Sequence, residues 1–505
     1  MRWIVNSEEM MACDSNTIRH FGVPSLVLME RAALGVVRQV LREVPKASAF
    51  CIVCGNGNNG ADGLAVARLL WQQGCKVTVV QVPDTGKRTP ENQTQRDILA
   101  RYGIHITERF PSDIQCDCVI DALFGVGLSR EPKGIYAEWI TAMNALGGLK
   151  AAVDMPSGVS SDDGAVYEPC FQADLTVTFA YEKAGQILYP GREKCGKTIV
   201  AKIGITDDSW LNRRPSCHML EPADLRQLPK RPSRSNKGTF GRVLAIAGST
   251  NMAGAALFCA QAAYRTGCGL VKICTTQSNR AVLQGALPEA VLAVYDEEES
   301  ETMLQHTVSE ALAWADVVIL GPGIGTGKAA RQIVSYVLKN ASLPVVADAD
   351  ALNILAEQPM LLTDTQAKLV LTPHPGEMAR LTGRKVGEIQ HTIRRTAEEF
   401  AAQHQVVCVL KDAVTVIAGP LGTCLNDTGC SAMAKGGSGD VLTGVIAGLL
   451  AQGMELEAAA QAGVFINGLA GEAAAKKNGG YSVLARDILA EIGGVMDTGI
   501  YKESL

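Results

Sequence analysis

A chain of 505 residues is longer than one ordinary hydrophobic core can organise, and its length suits about two to four domains. Hydrophobic residues make up 47% and charged residues 20%, a globular composition, and the net charge of -5 argues against a general nucleic-acid or anionic-membrane binder. Its 51 glycines, about one residue in ten against a usual ~7%, suit the many tight strand-to-helix turns of an α/β protein.

The start of the chain, Met1 to Glu9, has no apolar core of signal-peptide length, and no later run reaches a membrane span, so a cytoplasmic protein is expected. Most of the 15 cysteines sit inside apolar segments such as Cys51-Ile52-Val53-Cys54. Residues three apart on a strand face opposite sides, so Cys51 and Cys54 cannot share a metal there, and buried reduced thiols are the expected state. The seven histidines are scattered, none at zinc spacing.

Two helical patterns open the chain, one capped at Ser7 and one running from Pro24 towards Val44. The period then changes. Ala49 to Cys54 reads as a buried strand, followed by the loop Gly55-Asn56-Gly57-Asn58-Asn59-Gly60-Ala61-Asp62-Gly63 and a helix through Leu70. Gly55, Gly57 and Gly60 satisfy the dinucleotide-binding spacing, and Asp84 follows the next strand, Lys76 to Val82, at about the ribose-binding distance of ~20 residues. Asn58, Asn59 and Asp62 add hydrogen-bonding groups that a loop for pyrophosphate alone does not need; an Asx-rich tight turn is the alternative.

Strand Asp117 to Asp121 leads into the loop Ala122 to Glu131, and strand Ala151 to Asp154 leads into Met155-Pro156-Ser157-Gly158-Val159. In a doubly wound sheet the C-terminal strand ends line one crevice, so Asn59, Asp121, Asp154 and Ser157 are expected to converge. One carboxylate, one amide and one hydroxyl from that set make hard oxygen donors suited to a weakly held cation.

The strand Leu175 to Phe179 and the segment through Ile205 close the first unit. A linker rich in proline and basic residues runs from Arg213 to Gly238, so the expected domains are residues 1–215 and 225–505. The alternation then restarts, with strands at Val243 to Ala247, Leu270 to Cys274, Asp316 to Leu320, Val345 to Ala347, Leu369 to Leu371 and Val406 to Leu410. Their ends carry polar loops, among them Asp348-Ala349-Asp350-Ala351-Leu352-Asn353, His374 between two prolines, and Lys411-Asp412. His374 could be a rigid-turn residue and Lys411-Asp412 a surface hairpin; a functional reading of each stands beside these. No Walker lysine motif, kinase catalytic loop or G-x-S-x-G elbow occurs.

The chemistry is expected at Ala434-Lys435-Gly436-Gly437-Ser438-Gly439-Asp440, which precedes an apolar helical run. Small residues there bring bare backbone N–H groups together at a helix N-terminus, where the partial positive charge holds an anion such as a phosphate. Asp440 adds a negative charge that a plain anion cradle does not want. It makes sense if the carboxylate acts on a hydroxyl while the amides hold the phosphoryl group that hydroxyl attacks; an N-capping aspartate is the alternative.

These residues carry a resemblance over nearly the whole chain. The second half resembles the ribokinase-like superfamily, and within it the ADP- or ATP-dependent NAD(P)H-hydrate dehydratases. The first half resembles the NAD(P)H-hydrate epimerase domain in Asn58-Asn59-Gly60-Ala61-Asp62 and in Asp154-Met155-Pro156-Ser157-Gly158. Joined in this order they look like the bifunctional nicotinamide-nucleotide repair family. The fold this implies is α/β, a Rossmann-like doubly wound domain followed by a ribokinase-like one.

The resemblance implies that the first domain interconverts the R and S epimers of NADHX or NADPHX, the hydrates of NAD(P)H, and that the second returns the S form to NAD(P)H with ADP. In the first domain Asn58, Asn59, Gly60, Ala61, Asp62, Gly125, Val126, Gly127, Leu128, Ser129, Arg130, Glu131 and Asp154 would hold the hydrate, with Asp154 catalytic. Asn59, Asp121 and Ser157 would bind potassium. In the second, Ala255, Gly323, His374 and Asp440 would contact the hydrate. Lys411, Asp412, Ala413, Val414, Thr415, Gly437, Ser438 and Gly439 would hold the nucleotide with its Mg2+, and Asp440 would be the base. No nucleic acid or membrane partner is expected, and a homo-oligomer is. Alanine at position 61, where many relatives have glycine, needs a backbone conformation that alanine can adopt. A ribokinase-type kinase and a non-enzymatic nucleotide-sensing module are the rival readings.

Overall fold

The computed structural model describes residues 1–44, 48–84, 86, 88–111 and 113–500. The chain divides into two units, Trp3–Ser216 and a second that runs from Cys217 onward and includes Met1–Arg2.

The strands of the first unit are β1 (Arg2–Val5), β2 (Ala49–Cys54), β3 (Lys76–Gln81), β4 (Ile106–Thr107), β5 (Cys118–Ala122), β6 (Leu149–Val153), β7 (Leu175–Phe179), β8 (Glu182–Lys183) and β9 (Lys197–Ala201). Seven of them form an all-parallel sheet in the order β4-β3-β2-β5-β6-β7-β9. The chain works outward from β2 and then returns to its other side at β5. That reversal is the switch point at which doubly wound sheets bind ligands.

Residue alternation shows why β2 reads as one continuous apolar run. Phe50, Ile52 and Cys54 pack on one face with Leu28 and Val36 of helix Ser25–Glu43 and Leu64 of helix Asn58–Gln72. Cys51 and Val53 pack on the other with Trp139, Ile140 and Met143 of helix Ile135–Ala145. A strand covered on both faces has no polar side. Cys51 and Cys54 face apart, and burial pushes the Cys51 thiol up to about 12. Among the described residues no cysteine is joined in a disulfide.

The opening helix spans Ser7–Arg19, and its cap is Asn6, one residue earlier than the serine the sequence suggests. Asn6 Oδ1 accepts from the Glu9 amide at 2.8 Å, and Glu9 Oε2 accepts from the Asn6 amide at 3.0 Å. Serine and asparagine cap equally well, so only the reciprocal pair with Glu9 distinguishes them.

The second unit holds β10 (Cys217–Met219), β11 (Arg242–Ile246), β12 (Leu270–Thr276), β13 (Val291–Tyr295), β14 (Val317–Leu320), β15 (Val345–Ala347), β16 (Leu369–Leu371), β17 (Val407–Leu410), β18 (Thr415–Gly419) and β19 (Gly422–Asn426). Their order is β13-β12-β11-β14-β15-β16-β17-β18-β19-β10. Pairing is parallel from β13 to β17, antiparallel through β18 and β19, and parallel again at β10. The order again reverses beside β11. Helices Ala253–Thr266 and Ser438–Ala451 pack together closely because their contact is made of small residues: a Cβ on Gly444 would stand 2.2 Å from the Cys259 carbonyl oxygen.

Part of the expected linker is structure of the second unit. β10 occupies residues expected to join the domains, and Arg231 lies 3.7 Å over the Phe240 ring while donating to the Gly267 carbonyl at 2.7 Å. β13 was not expected at all. It is an edge strand whose Val291 is exposed, so its pattern is neither a clean alternation nor a buried run. Among the described residues no helix is long and apolar enough to cross a membrane.

Candidate active sites

In the first unit a cavity of about 590 Å³ opens where β2, β5 and β6 end. Its polar wall includes Asn58, Asn59, Asp62 and Asp154, and its apolar wall includes Met10, Leu28, Met29, Phe124 and Val126. Asp154 is a non-glycine residue in the left-handed region, φ +68°. Such a conformation costs of order 1–3 kcal/mol and persists only where neighbours over-determine it. Here they do. The Asp154 amide donates to the Val177 carbonyl at 2.9 Å, its carbonyl accepts from Gln186 Nε2 at 2.7 Å, and its Oδ1 accepts from Lys183 Nζ (2.5 Å), Thr178 Oγ1 (3.0 Å) and the Phe179 amide (3.2 Å). Lys183 is fully buried, and its ammonium also donates to Thr178 Oγ1 at 2.8 Å and the Phe179 carbonyl at 3.1 Å. Three acceptors match its three protons.

The other acids of this cavity lie in a different field. Burial pushes the Asp62 carboxyl well above its usual range, and the charges of Asp154 and Asp14 push it further. Asp14 is raised by burial and by Glu91 and Asp154. No hydrogen bond reaches the Asp62 carboxyl among the described residues. One acid is thus tied to a cation and one is not.

Of the three donors expected to bind a cation, Asp121 and Ser157 are bonded to each other. Asp121 is buried and accepts from the Ser157 amide at 2.7 Å, Ser157 Oγ at 2.8 Å and the Leu123 amide at 3.1 Å. Burial pushes its carboxyl up to about 6 against the lowering effect of those Ser157 and Leu123 bonds. Asn59 Nδ2 donates to the Val153 carbonyl at 2.7 Å, and its Oδ1 is buried with no partner. A buried amide oxygen without a donor is what a bound cation would satisfy.

Several sequence-predicted residues sit elsewhere. Gly60 and Ala61 are buried outside the cavity lining, and a Cβ on Gly60 would lie 2.0 Å from the Gly55 carbonyl oxygen, so this glycine is required by packing. Ala61 is an interior residue of helix Asn58–Gln72, a conformation alanine favours. Gly125, Val126, Gly127 and Leu128 line the cavity, whereas Ser129, Arg130 and Glu131 are exposed outside its lining. Asp84 accepts from the Gly86 amide at 2.8 Å and pairs with Arg88 at 3.4 Å, away from the cavity lining, so it is a turn residue.

In the second unit the glycine-rich segment meets the N-terminus of helix Ser438–Ala451. Gly437 is the cap, φ +95°, and a Cβ there would stand 2.8 Å from Ala485 Cβ. Asp440 is the third helical residue, so the N-capping alternative falls. Among the described residues the amides of Gly437, Gly439 and Asp440 donate to no protein acceptor, the Ser438 amide reaches only the Lys435 carbonyl at 3.5 Å, and Ser438 Oγ is buried without a partner. The Asp440 carboxylate has no hydrogen bond either. Burial, then the charge of Asp348, pushes it up to about 6, against the lowering effect of Lys411.

Residues 411–414 form the turn between β17 and β18, the hairpin the sequence allowed, yet Lys411 turns inward. Its Nζ donates to Asp348 Oδ1 at 2.9 Å, while Thr443 Oγ1 donates to Asp348 Oδ2 at 2.8 Å. Burial raises Asp348, but Lys411 and the threonine hydroxyls outweigh it and hold this carboxyl below its usual range. Asp412 is exposed and accepts from the Ala413 amide, Val414 is buried, and Thr415 starts β18. Gly323, φ +61°, abuts Ala255: a Cβ would meet Ala255 Cβ at 2.8 Å.

His374 caps helix Pro375–Thr382, its Nδ1 accepting from the Gly376 amide at 2.9 Å. Burial, Lys411 and Arg380 lower its pKa, so the neutral ring carries its proton on Nε2. Sequence reading missed Lys183, Asp348, Asp14 and Thr443. For Asp348 a signal existed, a carboxylate at the end of the strand Val345–Ala347; for Lys183 there was none.

A family model described as NAD(P)H-hydrate dehydratase matches residues 243–493, and one described as the YjeF-related protein N-terminus matches residues 25–185. The bifunctional NAD(P)H-hydrate repair enzyme Nnr of Moorella thermoacetica is 37% identical to this chain, over 96% of this chain and 95% of its own. The chain belongs to that family. The bifunctional NAD(P)H-hydrate repair enzyme Nnr of Escherichia coli is 35% identical, over 93% of this chain and 89% of its own. Among solved structures, a ribokinase-like superfamily protein from Enterococcus faecalis superposes with a TM-score of 0.50 at 29% identity, covering 56% of this chain and 97% of its own. In this member of the repair family, the Rossmann-like and ribokinase-like expectations are both met.

Proposed function

We propose that this enzyme repairs hydrated nicotinamide nucleotides: the first unit interconverts R- and S-NAD(P)HX, and the second converts S-NAD(P)HX to NAD(P)H with ADP, releasing AMP and phosphate. The observation that carries the reading is the pairing of a partnerless carboxylate, Asp440, with unengaged amides and an unpartnered hydroxyl at one helix N-terminus. The full-length relationship to the repair enzymes supports the same reading.

In the second unit Asp440 takes the proton of the C6 hydroxyl, and that oxygen attacks the terminal phosphorus of ADP, expelling AMP. Amides of Gly437 and Gly439 and Ser438 Oγ stabilise the charge growing on the transferred phosphoryl group. The ring nitrogen then pushes out phosphate in place of hydroxide, and loss of a proton at C5 restores the conjugated ring. Lys411 offsets phosphate charge, to which a Mg2+ ion carried by ADP would add further positive charge, and Ala255, Gly323 and His374 face the hydrate.

In the first unit Asp154 acts on the hydroxyl at C6, with Asn58 to Asp62 and the loop from Gly125 holding the nucleotide. A potassium ion held by Asn59 Oδ1, Asp121 and Ser157 would supply fixed positive charge beside the substrate. The all-thiol cysteine set suits a reducing, cytoplasmic setting.

The test is to incubate the purified enzyme with mixed NADHX epimers and ADP, following NADH absorbance and the products. Both epimers should disappear, with AMP and free phosphate formed; a stable phosphoester in place of NADH would assign a small-molecule kinase instead.

A further inference from the structure

Asp348 follows directly on β15 beneath the glycine-rich segment and is buried, and it spends each oxygen on a different element: Oδ1 on Lys411 from the β17–β18 turn, Oδ2 on Thr443 from helix Ser438–Ala451. Thr443 Oγ1 lies also 3.0 Å from the Gly439 carbonyl one turn before it. A Cβ placed on Gly439 would lie 3.6 Å from both Asp348 Oδ2 and Lys411 Nζ. The carboxylate, the ammonium and the first helical turn therefore meet at one point beside Asp440.

We infer that Asp348 is the positioning residue of the dehydration site, clamping Lys411 against the N-terminal turn of helix Ser438–Ala451 and so presetting where the nucleotide's phosphate and Asp440 meet. This rests on the function proposed above for the same site. A salt bridge on a surface hairpin would be exposed and worth little; this one is turned into the site and tied to a second element through Thr443. Lys411 left free would be a flexible point charge on a four-carbon stem. Held by Asp348, it stands in place before ADP binds, which is how preorganised sites avoid reorganisation during the reaction. The clamp has an electrostatic side too. Asp440 faces the charges of Asp348, Lys411 and Asp350, and Lys411 is faced in turn by Glu377 and lies near His374.

The experiment is ADP-dependent turnover of S-NADHX across pH by the full-length enzyme and its Asp348→Asn, Asp348→Ser and Thr443→Val variants. Asp348→Asn and Asp348→Ser should cut kcat by up to about 100-fold and move the acidic limb of the profile from about 6 to lower pH, because a negative neighbour of Asp440 is gone while Lys411 stays. Thr443→Val removes a hydrogen bond and no charge, so it should slow turnover without moving the limb. Folded Asp348 variants with the parental limb and rate would overturn the inference. Failure of both Asp348 variants to fold would also overturn it, in favour of a purely structural role. Absence of turnover by the parent would instead remove the proposed function itself.

Discussion

Lys183 Nζ lies 2.5 Å from Asp154 Oδ1 in the wall of the first cavity, and the lysine has no solvent exposure. A charge so placed cannot be left to chance, because an unpaired ammonium in that position would have to shed its proton or admit water. The pair also explains how Asp154 tolerates its left-handed backbone: carboxylate, amide and carbonyl are each held by a separate neighbour. Lys183 and Asp154 are consequently one unit in structure.

Replacing Lys183 by methionine keeps most of the side-chain volume and removes the charge. Breaking a buried pair from one side typically costs about 3–5 kcal/mol, so thermal or denaturant unfolding of the first unit should shift strongly. R-NADHX should become stranded apart from slow spontaneous exchange, while S-NADHX is still dehydrated. Rapid R-hydrate turnover by a folded Lys183→Met enzyme would separate the lysine from the chemistry.

Dehydration should fail on the acid side. Asp440 must be ionised to act as a base, and its carboxyl is raised from an ordinary 3.8 to about 6, so kcat/KM should fall as pH drops through about 6. The same shift has a stability sign. A carboxyl raised on folding contributes stability that is fully present below 3.8 and is lost as pH rises through about 6. Asp440→Asn imitates the neutral form. It should lower dehydration by about 100-fold or more while leaving the Tm at neutral pH equal to or above the parental value, and epimerisation should be untouched. A flat rate profile between pH 5 and 8 would remove Asp440 from the proton transfer.

How much of this could be read from the sequence divides along physical lines. Strand β2 and helix Asn58–Gln72 were legible because burial on both faces and a change of period are local signals. The nest at Gly437 to Asp440 was legible because backbone amides need only small residues and a helix to follow. The pairings of Lys183 and Asp348 were not, since each is made with partners far along the chain: Lys183 with Asp154, and Asp348 with Lys411 and Thr443. Asp84 errs in the other direction, for a motif position can be occupied by a residue whose side chain serves its own turn. Edge strand β13 escaped because its exposure blurs both the alternating and the continuous apolar pattern.

Gly437→Ala probes the nest without adding charge. At φ +95° a Cβ is disfavoured by about 1–2 kcal/mol, and it would meet Ala485 Cβ at 2.8 Å. The turn must shift, carrying the amides of Gly437 and Gly439 with it. The KM for ADP should rise and kcat for dehydration should fall, with R/S exchange at the parental rate. Parental ADP kinetics would show that these amides do not hold the nucleotide.

Potassium dependence is expected of the first unit alone. Asn59 Oδ1 is buried and receives no hydrogen bond, and Asp121 and Ser157, the other two proposed ligands, are bonded to each other; the three would make a donor set of moderate charge. A large monovalent cation fits such a set better than a divalent one, which would demand more carboxylates and a tighter shell. Epimerisation measured in potassium should therefore exceed that in lithium at equal ionic strength, and ADP binding to the second unit should give no such difference. Asn59→Leu removes the orphaned oxygen at similar volume and should reduce the potassium rate to the lithium rate. Equal rates for the parent in both salts would mean that Asn59 Oδ1 serves packing or substrate, and that the cation reading of Asn59, Asp121 and Ser157 is wrong.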